Sequence, residues 1–135
     1  MASGMIASAI LAMMKGNLDL DTVDARVVGV SSAYTFSSAH DNLDDLTNII
    51  TDAVAVTGEL VSAITGGGKF DFDDPTLTNV NGALARVFCY DHNGGSDAAR
   101  RLLAVYDAVT GTLSGGSVPL TVNASGAATI TSSPS

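Results

Sequence analysis

Two apolar runs, residues 84–91 (LARVFCYD) and 101–107 (RLLAVYD), flank a polar stretch, DHNGGSD, at 91–97. Asn93, Gly94 and Gly95 reverse a chain at small steric cost. This pattern predicts an antiparallel β-hairpin. The first run is apolar on both faces. That marks a strand with neighbours on either side rather than one with a wet face. The rest of the chain therefore has to supply further strands.

It does so in short pieces. Residues 25–31 (ARVVGVS) read as a strand, followed by an irregular polar loop at 32–39. Residues 41–46 (DNLDDL) read as one helical turn capped by Asp41. The nearly continuous apolar stretch 49–65 is rich in valine and interrupted by Gly58, which predicts two short strands or one strand with a bulge. Gly66, Gly67 and Gly68 close it. Residues 69–72 (KFDF) make a short alternating strand, broken by Asp73, Asp74 and Pro75. Residues 118–122 and 127–131, on either side of Asn123, Ala124, Ser125 and Gly126, predict a second hairpin, with a flexible tail at 132–135.

Ahead of the strands, residues 3–15 read as an amphipathic helix. Ser3 caps it, Ile6, Ile10, Met13 and Met14 recur at helical spacing, Lys15 suits its negative end, and Gly16 stops it. Such a helix packs on its own domain or reaches a neighbour as an arm. Together these elements predict a mainly β, single-domain chain over 1–135, β-sandwich or jelly-roll-like, with a short N-terminal α-helix.

Charge narrows what such a domain can do. Thirteen of the fourteen acids are Asp, which favours turns over helix interiors, and the net charge is −8. The six basic residues form no stripe able to neutralise phosphates, so direct nucleic-acid binding is not expected. Charged residues make up 15% of the chain, against about 25% in an average soluble domain. A surface poor in charge is expected to be covered in part by partner subunits. The apolar N-terminus lacks the preceding positive charge of a signal peptide, since Lys15 follows it, and it is too short to span a bilayer. A protein without leader or membrane anchor is the expectation.

Candidate chemistry is sparse. Asp19, Asp21 and Asp24 cluster, as do Asp71, Asp73 and Asp74, and turn carboxylates of this kind are Ca²⁺ ligands where they converge. An EF-hand is excluded, because Val23 stands where an Asp or Asn is needed. Solvated turn residues are the ordinary reading. Cys89 and His92 lie three residues apart, but a thiol in mid-strand reads as a buried small hydrophobe rather than a nucleophile. With one cysteine there is no intrachain disulfide and no structural zinc set. His40 beside Asp41 reads as a loop histidine or a pH-responsive pair. The stretch GGGK at 66–69 lacks the spacing of a phosphate loop. Arg100 and Arg101 form the one basic doublet and pair either within the chain or with an acidic patch on a neighbour. No catalytic residues, cofactor or metal are expected.

The order of these segments resembles a group of small phage virion proteins. The residues that carry the likeness are LDLDTVDARVVGVSSAYTF (18–36), DNLDDL (41–46), GKFDFDDPTLT (68–78), ARVFCYDHNGGSDAARRLLAVYD (85–107) and PLTVNASGAATIT (119–131). Such proteins place a DT-x-x-(x)-V-x-x-(V/L)-x-S-x-Y-T stretch after an N-terminal helix. A strand of the form ARY-(A/V)-V-x-YD before a glycine turn follows, and a strand pair closes the chain. The present chain departs in having no Trp, with Leu20 where Trp is common after the helix.

The resemblance implies a non-enzymatic capsid-decoration, or cement, protein on the phage head surface, made in the host cytoplasm. Its partners would be the major capsid protein and sister copies of itself, with a homotrimer favoured. A tail or head-fibre component, or a receptor- or glycan-binding β module, is the alternative. The contact residues expected on this reading are Ile6, Ile10, Met13, Met14, Arg100 and Arg101.

Overall fold

The computed structural model describes residues 4–37, 39–64, 67–93, 95–120 and 128–131. Ser3, Gly66, the turn expected at 123–126 and the tail at 132–135 lie outside them. In chain order the elements are β1 (Gly4–Met5), α1 (Ala7–Met14), β2 (Ala25–Ser31), β3 (Val54–Ala55), β4 (Leu60–Ile64), β5 (Gly67–Asp71), β6 (Thr76–Asp91), β7 (Leu102–Asp107), β8 (Thr112–Pro119) and β9 (Ala128–Thr131). Two 3-10 turns lie at Leu43–Asp45 and Asp97–Ala99. The chain is mainly β, 44% strand against 13% helix. Among the described residues, one curled antiparallel sheet runs β1-β7-β6-β2-β3, with β8 also on β6; β4, β5 and β9 form a smaller one in that order.

The expected hairpin lies at the centre. β6 and β7 pair antiparallel, with Phe88 opposite Val105 and Cys89 opposite Ala104. β2 covers the other edge of β6, with Val28 opposite Phe88 and Val27 opposite Cys89. Facing residues share a side, so Val28, Phe88 and Val105 form a row on one face and Val27, Cys89 and Ala104 on the other. All six are buried. Tyr34 meets Phe88 edge-on at 5.5 Å and Phe36 stacks over it at 6.4 Å, so the loop after β2 roofs one face. On the small sheet, Phe70 and Phe72 touch each other, and Phe72 reaches Tyr106 of β7 at 6.5 Å.

β6 is twice the length the sequence suggests, because it runs back through Gly82 and Asn79 to Thr76. Its first half pairs with β8, which continues the line of β7 along the same strand. Ala108 N–H donates to the Ala85 carbonyl and Thr110 N–H to that of Leu84, bridging the two pairings. Register shifts fall between Leu77 and Val80 and between Val80 and Asn81. Gly115 is the extra residue of the second shift, at φ 73°, and Asn79 sits in the first at φ 53°. Such bulges bend and twist a strand, which accounts for the curl. On its other edge this half of β6 meets residues 50–52, with Asn81 N–H donating to Ile50 O and Asp52 N–H to Thr78 O.

Among the described residues, the two strands expected to form a second hairpin at 118–122 and 127–131 pair elsewhere. β8 ends at Pro119 and pairs with β6, while β9 pairs with β5, Phe70 opposite Ala128. The long β6 offers β8 a partner that local turn chemistry does not reveal. The helix also starts later than expected. Residues 4–5 pair with the edge of β7, and Ile6 N–H donates to Leu103 O, so α1 begins at Ala7 with Ile6 in the N-cap position. Its end is as expected. Asn17 N–H donates to Ala12 O and Gly16 N–H to Met13 O, the double bond pattern of a glycine-terminated helix. The turn at 43–45 is capped from Asn42 rather than Asp41, with the Asp45 carboxylate accepting from both their N–H groups at 3.1 and 3.0 Å.

Candidate interaction surfaces

The acidic clusters act as turn formers. Asp19 Oδ1 accepts the Asp21 N–H at 3.0 Å, and Asp24 forms an ion pair with Arg26 at 3.5 Å while its N–H donates to Asp91. Asp71 accepts the Phe72 N–H, and Asp73 accepts the Thr57 hydroxyl at 3.3 Å. Asp74 is exposed in the loop before β6. Among the described residues, no three His, Cys, Asp or Glu side chains are gathered as a metal site would need.

The basic doublet divides. Arg100 closes the tip of the β6–β7 hairpin: Nη1 pairs with Asp97 at 3.0 Å, Nε donates to the His92 carbonyl and Nη2 meets His92 Nε2 at 3.2 Å. A guanidinium only donates, so Nε2 accepts, and this network assigns the ring proton to Nδ1, facing the Tyr90 hydroxyl at 3.2 Å. Arg101 bridges to Asn42 through its backbone. Among the described residues Arg26 and Arg86 also pair within the chain, with Asp24 and Asp107. Such half-exposed pairs hold local geometry more than they stabilise the fold.

Cys89 is fully buried on β6, and burial pushes its thiol far above the ordinary range, which keeps it in the neutral form. His92 turns instead to Tyr90 and Arg100. His40, set beside Asp41 in the sequence, hydrogen-bonds the Tyr34 hydroxyl through Nδ1 at 2.7 Å. Backbone N–H groups of Asn42 and then Asp41 hold the Asp45 carboxyl below the usual range.

On α1 the sheet-facing residues are Ile6, Ala9 and Ala12. Ile6 is 4% exposed and belongs to the core, so it is not available to a partner. Ile10 and Met13 are half-buried, Met13 packing against the core, and Met14 is 81% exposed. Sequence reasoning named Ile6, Ile10, Met13 and Met14 as the contact residues and missed Leu11, which is 51% exposed. Two alanines three apart are the signal that would have set the phase, since small side chains let a helix lie close on a sheet. Val109, in the link between β7 and β8, is 83% exposed and was also missed.

No family model matches the sequence, and no curated protein or solved structure matches it.

Proposed function

We propose that this chain is a structural protein of a phage particle, a decoration protein that binds the outer head surface and works through contact rather than catalysis. The observation that carries the reading is how charge is placed. All fourteen acids fall between residues 19 and 107, and the 28 residues beyond carry no ionised side chain. The chain thus combines a self-repelling middle with ends free of acids, and shows Leu11, Met14 and Val109 to solvent outside that middle, and Ile49 and Val61 within it. Large apolar side chains left in water on a chain of 135 residues fit a surface that another subunit covers.

Decoration would act by stapling. Each contact contributes about 25 cal/mol per Å² of apolar area removed from water. Association entropy offsets much of that at a single contact. On a closed lattice the later contacts become intramolecular, and the sum grows. In this reading the two sheets close as a β-sandwich of jelly-roll kind, the Phe72–Tyr106 contact joining them. Copies associate as a homo-oligomer, a trimer favoured, against the major capsid protein. The resemblance of the segment order to that of small phage virion proteins supports the same reading. Among the described residues no helix is long and apolar enough to cross a membrane.

Quantitative mass analysis of purified particles tests it. Decoration requires many copies per head. A few copies per particle would instead indicate a fibre component, and absence from the particle would end the proposal.

A further inference from the structure

We infer that the tip of the β6–β7 hairpin is a pH-sensitive clasp, in which protonation of His92 unfastens Arg100 and loosens the tip from the loop at 41–46. Nothing in the clasp depends on a phage particle. In its neutral state the imidazole is used at both nitrogens. Nδ1–H faces the Tyr90 hydroxyl at 3.2 Å, and Nε2 accepts from Arg100 Nη2 at 3.2 Å. An added proton can go only to Nε2. It sets an N–H against an N–H and a cation against a cation, so the contact turns from attraction to repulsion.

The clasp holds more than one side chain. Arg100 O accepts the Leu43 N–H at 2.8 Å, Ala98 O accepts from Asn42 Nδ2 at 2.8 Å, and Asp41 O accepts the Leu102 N–H at 3.0 Å. Residues 97–102 and 41–46 are thus sewn together, and the Arg100 side chain ties this seam to His92 across the tip. The charges around the ring leave His92 as the moving part. Where β2 begins, Asp24 and Arg26 pair with each other, and the Asp24 carbonyl accepts the His92 N–H. The Asp91 carboxylate accepts the N–H groups of Asp24 and Asn93, and the Arg101 carbonyl accepts the Asp91 N–H. Asp97 is bound to Arg100 at 3.0 Å, so an imidazolium that turns towards it competes with the guanidinium for one carboxylate.

The other histidine supplies the contrast. His40 adjoins the same seam, and its Nδ1 meets the Tyr34 hydroxyl at 2.7 Å. A hydroxyl donates or accepts, so that bond survives either state of the ring. Of the two histidines in the chain, only His92 faces a partner that cannot accept a proton's hydrogen bond.

Amide hydrogen exchange of the full chain, read by NMR at about pH 7.5 and about pH 5.5 and corrected for the intrinsic rate at each, spans the range in which histidines ordinarily titrate. Protection at Leu43 and Ala99 should fall about fivefold at the lower pH, the worth of one hydrogen bond. Val28 in the central sheet should stay protected at both, in the parent chain and in every variant, which shows that each is folded. His92→Gln still accepts from Arg100 but takes no proton, so the response should vanish. Arg100→Gln removes the cation that the proton would meet, so the response should vanish there too while His92 goes on titrating. His40→Gln should keep the full response. Equal protection at both pH values in the parent chain overturns the inference. So does a response that survives in His92→Gln or Arg100→Gln, or one lost in His40→Gln.

Discussion

The two halves of β6 are one strand with two characters. Residues 84–91 lie between β2 and β7 and are buried at every position from Val87 to Tyr90. Residues 76–83 pair with β8, are buried only at Leu77 and Val80, and hold two register shifts. Both halves share a backbone, a direction and a sheet. The difference lies in how many faces are covered. The buried half is not free of bulges: its pairing with β7 shifts between Cys89 and Tyr90, with Leu103 the extra residue, and its pairing with β2 shifts between Val30 and Ser31, with Ala85 the extra residue. The half beside β8 differs in placing left-handed residues at its shifts, Asn79 at φ 53° and Gly115 at φ 73°, where a partly wet surface leaves room for them.

The contrast is broken most sharply at Phe88. It is fully buried beneath Tyr34 and Phe36, and Phe88→Ala should cost about 3–5 kcal/mol. The half-buried Leu113 of β8 should lose less than half as much on Leu113→Ala. Equal losses in urea melts would show that the halves are not distinct.

Next come two glycines of different purpose. A side chain on Gly29 of β2 would run into methyl groups of Leu84 and Thr51. Gly29→Ala should therefore destabilise by about 1–3 kcal/mol through overpacking. A side chain on Gly115 of β8 would make only an ordinary contact, with Asn79 Oδ1 at 3.9 Å, but the residue has a φ of 73°. Gly115→Ala should cost only the left-handed conformation, about 1–2 kcal/mol. Thermal melts of the pair tell close packing from backbone strain: the Gly29 variant should be rescued in part by Leu84→Val and the Gly115 variant should not.

The smallest effect is in the loop that joins the hairpin tip to residues 41–46. The Asp45 carboxylate titrates below its ordinary range because the Asn42 and Asp41 N–H groups favour its ionised form. A depressed folded value contributes stability at neutral pH and loses it as pH falls through that value, below about pH 4. Asp45→Asn should flatten that part of the acid-unfolding curve and leave neutral stability slightly lower.

The same contrast explains what was legible in the sequence. The β6–β7 hairpin was legible because its apolar runs and its Asn-Gly-Gly turn agree locally. The end of α1 was legible from Lys15 and Gly16. The first half of β6 was not, since Asn79, Asn81 and Gly82 read as a loop when they are bulge and bend residues in a half-wet strand. β8 (TLSGGSVP) hides for the same reason. The pairing of β9 with β5 joins segments about sixty residues apart, and no local signal announces such a partner. Of the candidate contact residues, exposure of Met14 follows from its place at the helix end, whereas the inward turn of Ile6 depends on β1 docking against β7. The pairing of Arg100 with Asp97 and His92 is set by the geometry of the hairpin tip, which sequence spacing alone does not give.

The central claim is that this chain works by covering another protein surface. Purified chain added to undecorated phage heads, followed by calorimetry of the particles, tests it directly. The account predicts saturable binding at many copies per head and a higher melting temperature for the shell. Heads that bind no chain, and melt at an unchanged temperature, would contradict it.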